Sequence, residues 1–333
     1  MRPKKLAAAK PLPKLLVVVG PTASGKTNLA LALAKKFRGE IISADSRQFY
    51  RGTGIGSDAI PGEWRVLHGR RTYVAEGVPH YLIGFLSPKR TFTAAQCKDH
   101  VMRIARDITK RGNLPILCGG TGLFVRAVVD NFSLAEVAPN AALRARLERR
   151  TTESLYEELA EKDPEYRKRI PRNNRRYATR ALEVIAATGK PFSAQQQTGE
   201  PLFDVLQIGI QRPKDEAEKR INARVDLMMR SGLLKEAEKL GKRYGWAVPA
   251  ATGLGHKQLG MFLRGELSLE EAVERIKSDT RKYAKRQRTW LKRDKRIQWI
   301  RTKRQAETAV KQFIGKAGKT PTRSTKTSIK NDR

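Results

Sequence analysis

Leu15-Leu16-Val17-Val18-Val19 is an uninterrupted apolar run that stops at Gly20. That pattern predicts a strand buried on both faces of a parallel sheet. A glycine-containing turn follows. Thr27 to Phe37 then places Leu and Ala at helical spacing, so strand, loop and helix open an α/β unit. Ile41-Ile42-Ser43-Ala44 reads as the second strand, with Asp45 at its exit. Residues 50–90 are rich in Gly, Pro and aromatics without a sustained period, which predicts irregular structure. Ala94 to Arg111 has the spacing of an amphipathic helix. Leu114-Pro115-Ile116-Leu117-Cys118 is a third short strand, closing on Gly119-Gly120-Thr121-Gly122.

The pattern changes after about residue 135. Ala141 to Leu159 and Asn174 to Thr188 read as arginine-studded helices, the second stopped by Gly189-Lys190-Pro191. Phe203 to Ile210 is a further strand that can return to the sheet. Lys214 to Arg243 and Ser268 to Leu291 read as long amphipathic helices. From Arg301 onward ten basic and two acidic residues stand among few large apolar ones, which predicts a disordered tail. The expected organisation is a flexible extension over 1–14 and an α/β core over 15–135 and 200–300. A helical insertion spans 136–199, and a basic tail 301–333. No internal repeat is visible.

Charge sharpens this picture. The 333 residues carry 68 Lys+Arg against 33 Asp+Glu, a formal net charge of +35. Such an excess speaks of partners rather than fold. Seven of the fourteen residues from Arg167 to Arg180 are basic, within a segment that reads as folded, which points to nucleic acid. Cys97 and Cys118 make no disulfide framework and have no metal-ligand spacing around them, so a reducing, cytoplasmic setting is expected. No run of 18 apolar residues predicts a membrane span. Met1 to Lys14 lacks the apolar centre of a secretory signal.

Gly20-Pro21-Thr22-Ala23-Ser24-Gly25-Lys26-Thr27 fits G-x-x-x-x-G-K-[ST] in full, between a predicted strand and a predicted helix. In such a loop backbone N–H groups and the helix N-terminus face phosphate oxygens, Lys26 supplies a mobile cation, and Thr27 a hydroxyl for Mg²⁺. The fold class expected is therefore α/β, a P-loop NTPase-like parallel sheet with helical additions. By itself the loop specifies only a polyphosphate ligand. Gly52-Thr53-Gly54-Ile55-Gly56 follows no clean strand and opens no helix, so it is set aside as a turn rather than a dinucleotide site.

Four later segments separate this chain from a nucleotide kinase. They are Asp45-Ser46-Arg47-Gln48-Phe49-Tyr50-Arg51-Gly52, Gly119-Gly120-Thr121-Gly122-Leu123-Phe124, Arg175-Arg176-Tyr177-Ala178-Thr179-Arg180-Ala181-Leu182-Glu183-Val184, and a C-terminal pair. The pair comprises Thr252-Gly253-Leu254-Gly255-His256-Lys257-Gln258 and Thr280-Arg281-Lys282-Tyr283-Ala284-Lys285-Arg286-Gln287-Arg288-Thr289-Trp290. In this order, after the phosphate loop, the chain closely resembles the bacterial-type tRNA dimethylallyltransferases from about Leu15 to Trp290. The resemblance implies that the loop holds the diphosphate of dimethylallyl diphosphate. It also implies that the acceptor is N6 of the adenosine 3′ to the tRNA anticodon, and that the enzyme is a Mg²⁺-using monomer.

The resemblance also distributes roles. Asp45 is implied as general base for the adenine amino group; a carboxylate holding Mg²⁺ through water, or a helix cap, is the alternative. Thr121 is implied beside the transferred group and the leaving diphosphate; a plain tight turn is the alternative. Lys26, with Arg220 or Arg224, is expected to stabilise the departing diphosphate. Ser46, Arg47 and Gln48 are expected at the target base. Arg144 and the helix holding Arg176, Tyr177, Ala178, Thr179 and Arg180 are expected to meet tRNA, as are Thr252, Gly253, Leu254, Gly255, His256 and Lys257. Phe49, Tyr50, Tyr81 and Phe124 are available for base stacking, for lining a prenyl pocket, or for core. His80 receives no role. The chain departs from the family pattern at Tyr81, Gly84 and across Gly56–Trp64, where a lysine is often found. A free-adenylate prenyltransferase would share the loop and Asp45 without needing the basic insertion. A P-loop kinase would need an arginine-rich lid that is not recognisable here.

Overall fold

The computed structural model describes residues 11–133, 137–138, 140–171 and 174–316. Residues 1–10 of the predicted extension, Arg172 of the basic segment and 317–333 of the predicted tail lie outside them. The chain divides into two compact units, Met1–Val129 with Pro201–Arg333, and Asp130–Glu200.

The larger unit is an eight-stranded sheet flanked by helices. Its strands are β1 (Lys14–Val19), β2 (Gly39–Ser43), β3 (Glu63–Leu67), β4 (Arg70–Ala75), β5 (Val78–Tyr81) and β6 (Leu114–Gly119). After β7 (Phe132–Ser133) and β8 (Gln197–Thr198), which belong to the smaller unit, come β9 (Asp204–Ile210) and β10 (Gln298–Ile300). The order is β10-β9-β1-β6-β2-β5-β4-β3. The strands from β10 to β5 pair in parallel, and β5-β4-β3 pair antiparallel. β1 sits near the centre with Leu15 through Val19 fully buried, as an unalternated apolar run requires. Helices α1 (Lys26–Phe37), α2 (Ala94–Lys110) and α3 (Gly122–Val129) belong to this unit. Leu29, Leu31 and Leu33 of α1 pack on Leu16, Val18 and Ile116.

The antiparallel edge corrects the expectation of irregular structure over 50–90. Leu67 pairs with Arg70 across His68-Gly69, and Ala75 pairs with Val78 across Glu76-Gly77. All four turn residues have positive φ. That is the geometry of a two-residue turn whose twist matches the strands it joins. β3 has almost no buried residue, so its composition carries no amphipathic alternation.

The smaller unit holds α4 (Ala141–Glu148), α5 (Thr152–Lys162), α6 (Pro164–Arg169), α7 (Arg175–Thr188) and the β7–β8 ladder. The predicted helix over 141–159 is two helices. Thr151 ends the first reading by capping α5, its side chain accepting from the Ser154 N–H. Leu147, Leu155, Leu159, Tyr166, Leu182 and Phe192 form the core of this unit.

Back in the larger unit, the expected helix over 214–243 is also two, α8 (Lys214–Arg230) and α9 (Leu233–Tyr244), broken where Gly232 turns left-handed at φ 98°. α10 (His256–Leu263) and α11 (Leu269–Leu291) follow, the latter started by a Ser268/Glu271 capping box. The predicted tail contains α12 (Lys303–Gly315), begun by a Thr302/Gln305 capping box. Ala306 and Val310 are fully buried against the sheet core, so the tail reading fails over 303–315. Ala309 and Phe313 pack beside them, and so short an apolar stripe among Lys, Arg, Glu and Gln hides in a basic sequence. Lys14, at the start of β1, donates to Asp204 and to the Phe313 carbonyl, fastening this helix to the sheet.

Candidate active site

The site forms at the carboxyl ends of β1, β2 and β6, where parallel sheets place their ligands. After β1 the chain makes the phosphate loop. Ala23 and Gly25 both take left-handed conformations, at φ 62° and 93°, before α1 starts at Lys26. Left-handed residues alternating with right-handed ones turn successive N–H groups to one side, a concave anion cradle. Gly20 is required by space, because a Cβ there would lie 2.5 Å from Ser24 Oγ and 2.7 Å from the Ile210 carbonyl. The buried Ser24 hydroxyl has no hydrogen-bond partner among the described residues.

Three long side chains hold the loop from behind. Arg220 donates to the Ala23 carbonyl at 3.0 Å, and Arg212 to the Ser24 carbonyl at 3.3 Å. Gln287 of α11 accepts from the Thr22 N–H at 2.8 Å and donates to the Gly120 carbonyl at 2.9 Å. One amide thus ties α11 to both the phosphate loop and the turn after β6.

Asp45 leaves β2 in a tight turn. Its Oδ1 accepts from the Arg47 N–H at 3.0 Å, and its own N–H donates to Ser43 Oγ at 3.2 Å. Part of the carboxylate therefore serves local structure, as a side chain that mimics a backbone turn. Ser43 Oγ also donates to Gln48. Thr121 Oγ1 accepts from the Ser46 N–H at 3.1 Å, which brings the β2 and β6 turns together. The Tyr283 hydroxyl meets Thr121; burial pushes its pKa up, with the Asp45 charge adding to the rise. Arg47 donates to the Pro249 carbonyl and to Thr252 Oγ1, both at 3.2 Å.

Lys26, Thr27, Asp45 and Gln48 line a small cavity of about 20 Å³ with His80 and Cys118. Burial lowers the His80 pKa, against the opposing pull of the Val78 carbonyl 2.9 Å from its Nδ1. Burial pushes the Cys118 thiol up to about 11 and Cys97 up to about 12, so neither is a thiolate nucleophile at neutral pH. Arg220 and Arg224 stand one turn apart on α8 and do different things. Arg220 binds loop backbone. Arg224 meets the Asp58 carboxylate at 2.6 Å. Burial pushes the Asp58 pKa up, the Arg224 and Lys26 charges oppose that rise, and Asp45 reinforces it. Asp58 and Arg224 thus share the electrostatic neighbourhood of the loop lysine and Asp45.

Other expected contacts divide by exposure. Thr252 and Lys257 are exposed, and Leu254 half-buried, but Gly253, Gly255 and His256 are buried. His256 is 3% exposed and bonds Glu236, which also accepts from the Ile55 and Gly56 N–H groups. It braces the 54–57 turn rather than facing an RNA. In the smaller unit Arg176 and Tyr177 are exposed, whereas Ala178 is fully buried in the core and cannot be a contact. Arg144 and Arg180 both pair with the buried Glu183, and Arg175 donates to the Leu147 carbonyl. Phe49 and Phe124 are core, stacked at 5.7 Å, and the Tyr81 hydroxyl is spent on Glu40; Tyr50 lines a cavity. Gln287, Tyr283 and Asp58 were not singled out by the sequence reading. Gln287 and Tyr283 fall at i and i+4 within the Thr280–Trp290 segment, the one signal that they share a helix face.

Residues 48–294 match the model of the family described as IPP transferase. A tRNA dimethylallyltransferase of Acetivibrio thermocellus is 41% identical over 294 residues, covering 86% of this chain and 91% of that one. One from Roseiflexus is 40% identical over 311 residues, covering 90% of this chain and 98% of that one. The solved full-length tRNA isopentenylpyrophosphate transferase of Bacillus halodurans superposes with a TM-score of 0.65 at 35% identity, over 90% of this chain and 95% of that one. A eukaryotic dimethylallyltransferase captured acting on tRNA superposes with a TM-score of 0.68 at 27% identity, over 84% of this chain and 70% of that one. A phosphate loop facing a strand-end carboxylate, together with a family match over most of the length, leaves one assignment: the chain belongs to the IPP transferase family.

Proposed function

We propose that this protein transfers the dimethylallyl group of dimethylallyl diphosphate to N6 of the adenosine 3′ to a tRNA anticodon. The observation that carries the reading is that Lys26 and Thr27 of the phosphate loop line one cavity with Asp45. Diphosphate held by the loop would then lie in the cavity that Asp45 also lines. As the allylic C1–O bond breaks, its electron pair goes to the diphosphate. Loop N–H groups, the α1 N-terminus, Lys26 and Arg224 offset that growing negative charge. N6 forms the new bond to C1 and gives its proton to the Asp45 carboxylate, about 10²–10⁴-fold of rate for a positioned base. Thr121 and Tyr283 present hydroxyls to the same place.

A Mg²⁺ ion fits the donors present. The Thr27 hydroxyl suits a cation that keeps several waters and takes its remaining ligands from a substrate phosphate, which leaves the Asp45 carboxylate free as base. Bound there, it would neutralise diphosphate charge. The reading places the enzyme in the cytoplasm as a monomer. Among the described residues no helix is long and apolar enough to cross a membrane. Exposed Arg176, Tyr177, Thr252 and Lys257 are the side chains offered to RNA.

The test is transfer of label from dimethylallyl diphosphate with Mg²⁺ to unmodified tRNA, with free AMP as a second acceptor. Label in tRNA, lost in Asp45→Ala, is expected. Label in AMP alone would move the protein to free-nucleotide prenyl transfer, and ATP turnover without label would return it to the kinases.

A further inference from the structure

The β3–β4 hairpin covers a second cavity that the chemistry above does not use. It has a volume of about 520 Å³, within the range of small-molecule sites. Its walls are aromatic and cationic, with Tyr50, Trp64 and Tyr73 beside Arg51 and Arg71. Trp64 is 41% exposed, unusual for so large an apolar side chain in a two-residue-turn hairpin. Its indole is held rather than loose. The Arg71 guanidinium sits 4.6 Å from the ring centroid and the Tyr73 ring meets it edge-on at 5.4 Å. Gly84 lies below, where a Cβ would come 3.5 Å from the indole. Arg51 is likewise fixed, its Nε and Nη2 donating to the Phe85 carbonyl at 3.1 and 3.0 Å.

Gln48 and Ile83 line both this cavity and the small one that contains Asp45. The wall between them is therefore one layer of side chains. A ligand in the larger cavity lies next to whatever reacts at Asp45. A rigid aromatic platform edged by guanidinium groups suits a flat heterocycle joined to a phosphate. The chain's excess of 35 positive charges favours a polyanion as its source.

We propose that the cavity beneath the β3–β4 hairpin is a second nucleobase site, taking an unstacked base of the acceptor RNA adjacent to the base that reacts. The inference rests on the RNA-transfer reading. The base displaces the Arg71 guanidinium from the face of Trp64 and stacks there, which gives affinity and helps draw the strand apart at the target, and the freed Arg71 meets the flanking phosphate together with Arg51.

The experiment measures binding of an anticodon stem-loop to the full-length protein by anisotropy, together with transfer kinetics. Stem-loops carry an abasic nucleotide at each position flanking the target in turn. Trp64→Ala is expected to weaken stem-loop binding about ten-fold, the order of one lost base–aromatic stack. Trp64→Phe should recover most of that loss, and the KM for dimethylallyl diphosphate should not move. One abasic flank should cost the wild-type protein the same factor and cost Trp64→Ala nothing further. Losses that multiply at every flanking position would overturn the proposal. So would a raised donor KM with unchanged RNA binding, which would make the cavity a prenyl pocket. Arg71→Gln provides a second variant on the surface, expected to reduce binding and its salt dependence. If the wild-type protein fails to bind the stem-loop or label it, the RNA-transfer reading falls and this site falls with it.

Discussion

Replacing Gln287 by methionine removes two hydrogen bonds while keeping the volume. The side chain is 6% exposed, so water does not readily take its place. The Thr22 N–H and the buried Gly120 carbonyl lose their partner together. A net hydrogen bond contributes about 1 kcal/mol, and a buried group left unpaired costs about 1–3 kcal/mol. The sum for the pair is roughly 2–4 kcal/mol, which corresponds to a fall in Tm of about 5–10 °C for a unit of this size. Function should suffer by a separate route. Thr22 lies inside the phosphate loop, and without the amide behind it the loop must be ordered by its ligand. Inorganic pyrophosphate should then inhibit transfer with about five- to ten-fold weaker affinity. Scanning calorimetry and pyrophosphate inhibition measure the two effects. An unchanged Tm would refute the hydrogen-bond accounting. A lowered Tm with unchanged pyrophosphate affinity would refute the claim that α11 positions the loop.

Three further outcomes follow from the geometry. Asp58→Asn removes the carboxylate that competes for Arg224, so pyrophosphate should bind about three- to ten-fold tighter by inhibition, while the free enzyme loses stability; weaker pyrophosphate binding would refute the competition. Glu40 is buried, which alone would raise its pKa, but hydrogen bonds from Arg111, Tyr81 and Asn113 outweigh burial and leave the pKa below the ordinary value. A depressed carboxyl contributes stability above its unfolded pKa of about 4.3 and loses it as pH falls through the folded value. Glu40→Gln should therefore destabilise by about 3 kcal/mol at pH 7, and the gap from wild type should close below about pH 4 in urea titrations. Truncation after Arg301 should lower Tm, because it removes Ala306 and Val310 from the core. Truncation after Lys316 should leave Tm in place and reduce the salt slope of tRNA binding, since it removes five basic residues and one acidic. Equal Tm losses from both truncations would contradict the docking of α12.

Much of the core was legible because its signals are local. An unbroken apolar run identifies β1, and a complete phosphate-loop spacing places Lys26 and Thr27 at the start of α1. The positions of Asp45 and Thr121 were legible because each follows a readable strand. Amphipathic spacing alone set the start of α11 at Ser268, where the structure has its capping box. Legibility failed wherever a position's role depends on a distant partner. β3 is exposed on nearly every residue, so its identity comes from pairing with β4 across His68-Gly69 rather than from its own period. α12 looked disordered because only Ala306 and Val310 are fully buried, with Ala309 and Phe313 packed beside them, and the rest of the helix is polar or charged apart from Ile314.

The sequence by itself determined the phosphate loop, the strand-end carboxylate and the basic character, since backbone conformation and charge are properties of neighbouring residues. Tertiary structure alone decided which arginine serves which purpose. Arg220 and Arg224 are equivalent as letters four apart on one helix face, yet one binds the Ala23 carbonyl and the other faces Asp58. It alone brought Gln287 to Thr22, 265 residues away, and Tyr283 to Thr121. It also moved Ala178 and His256 from expected contact surface into packed interior. The reason is the same in each case. A hydrogen bond or an ion pair is set by distance in space, and only the folded sheet and its helices fix which remote side chains share that distance.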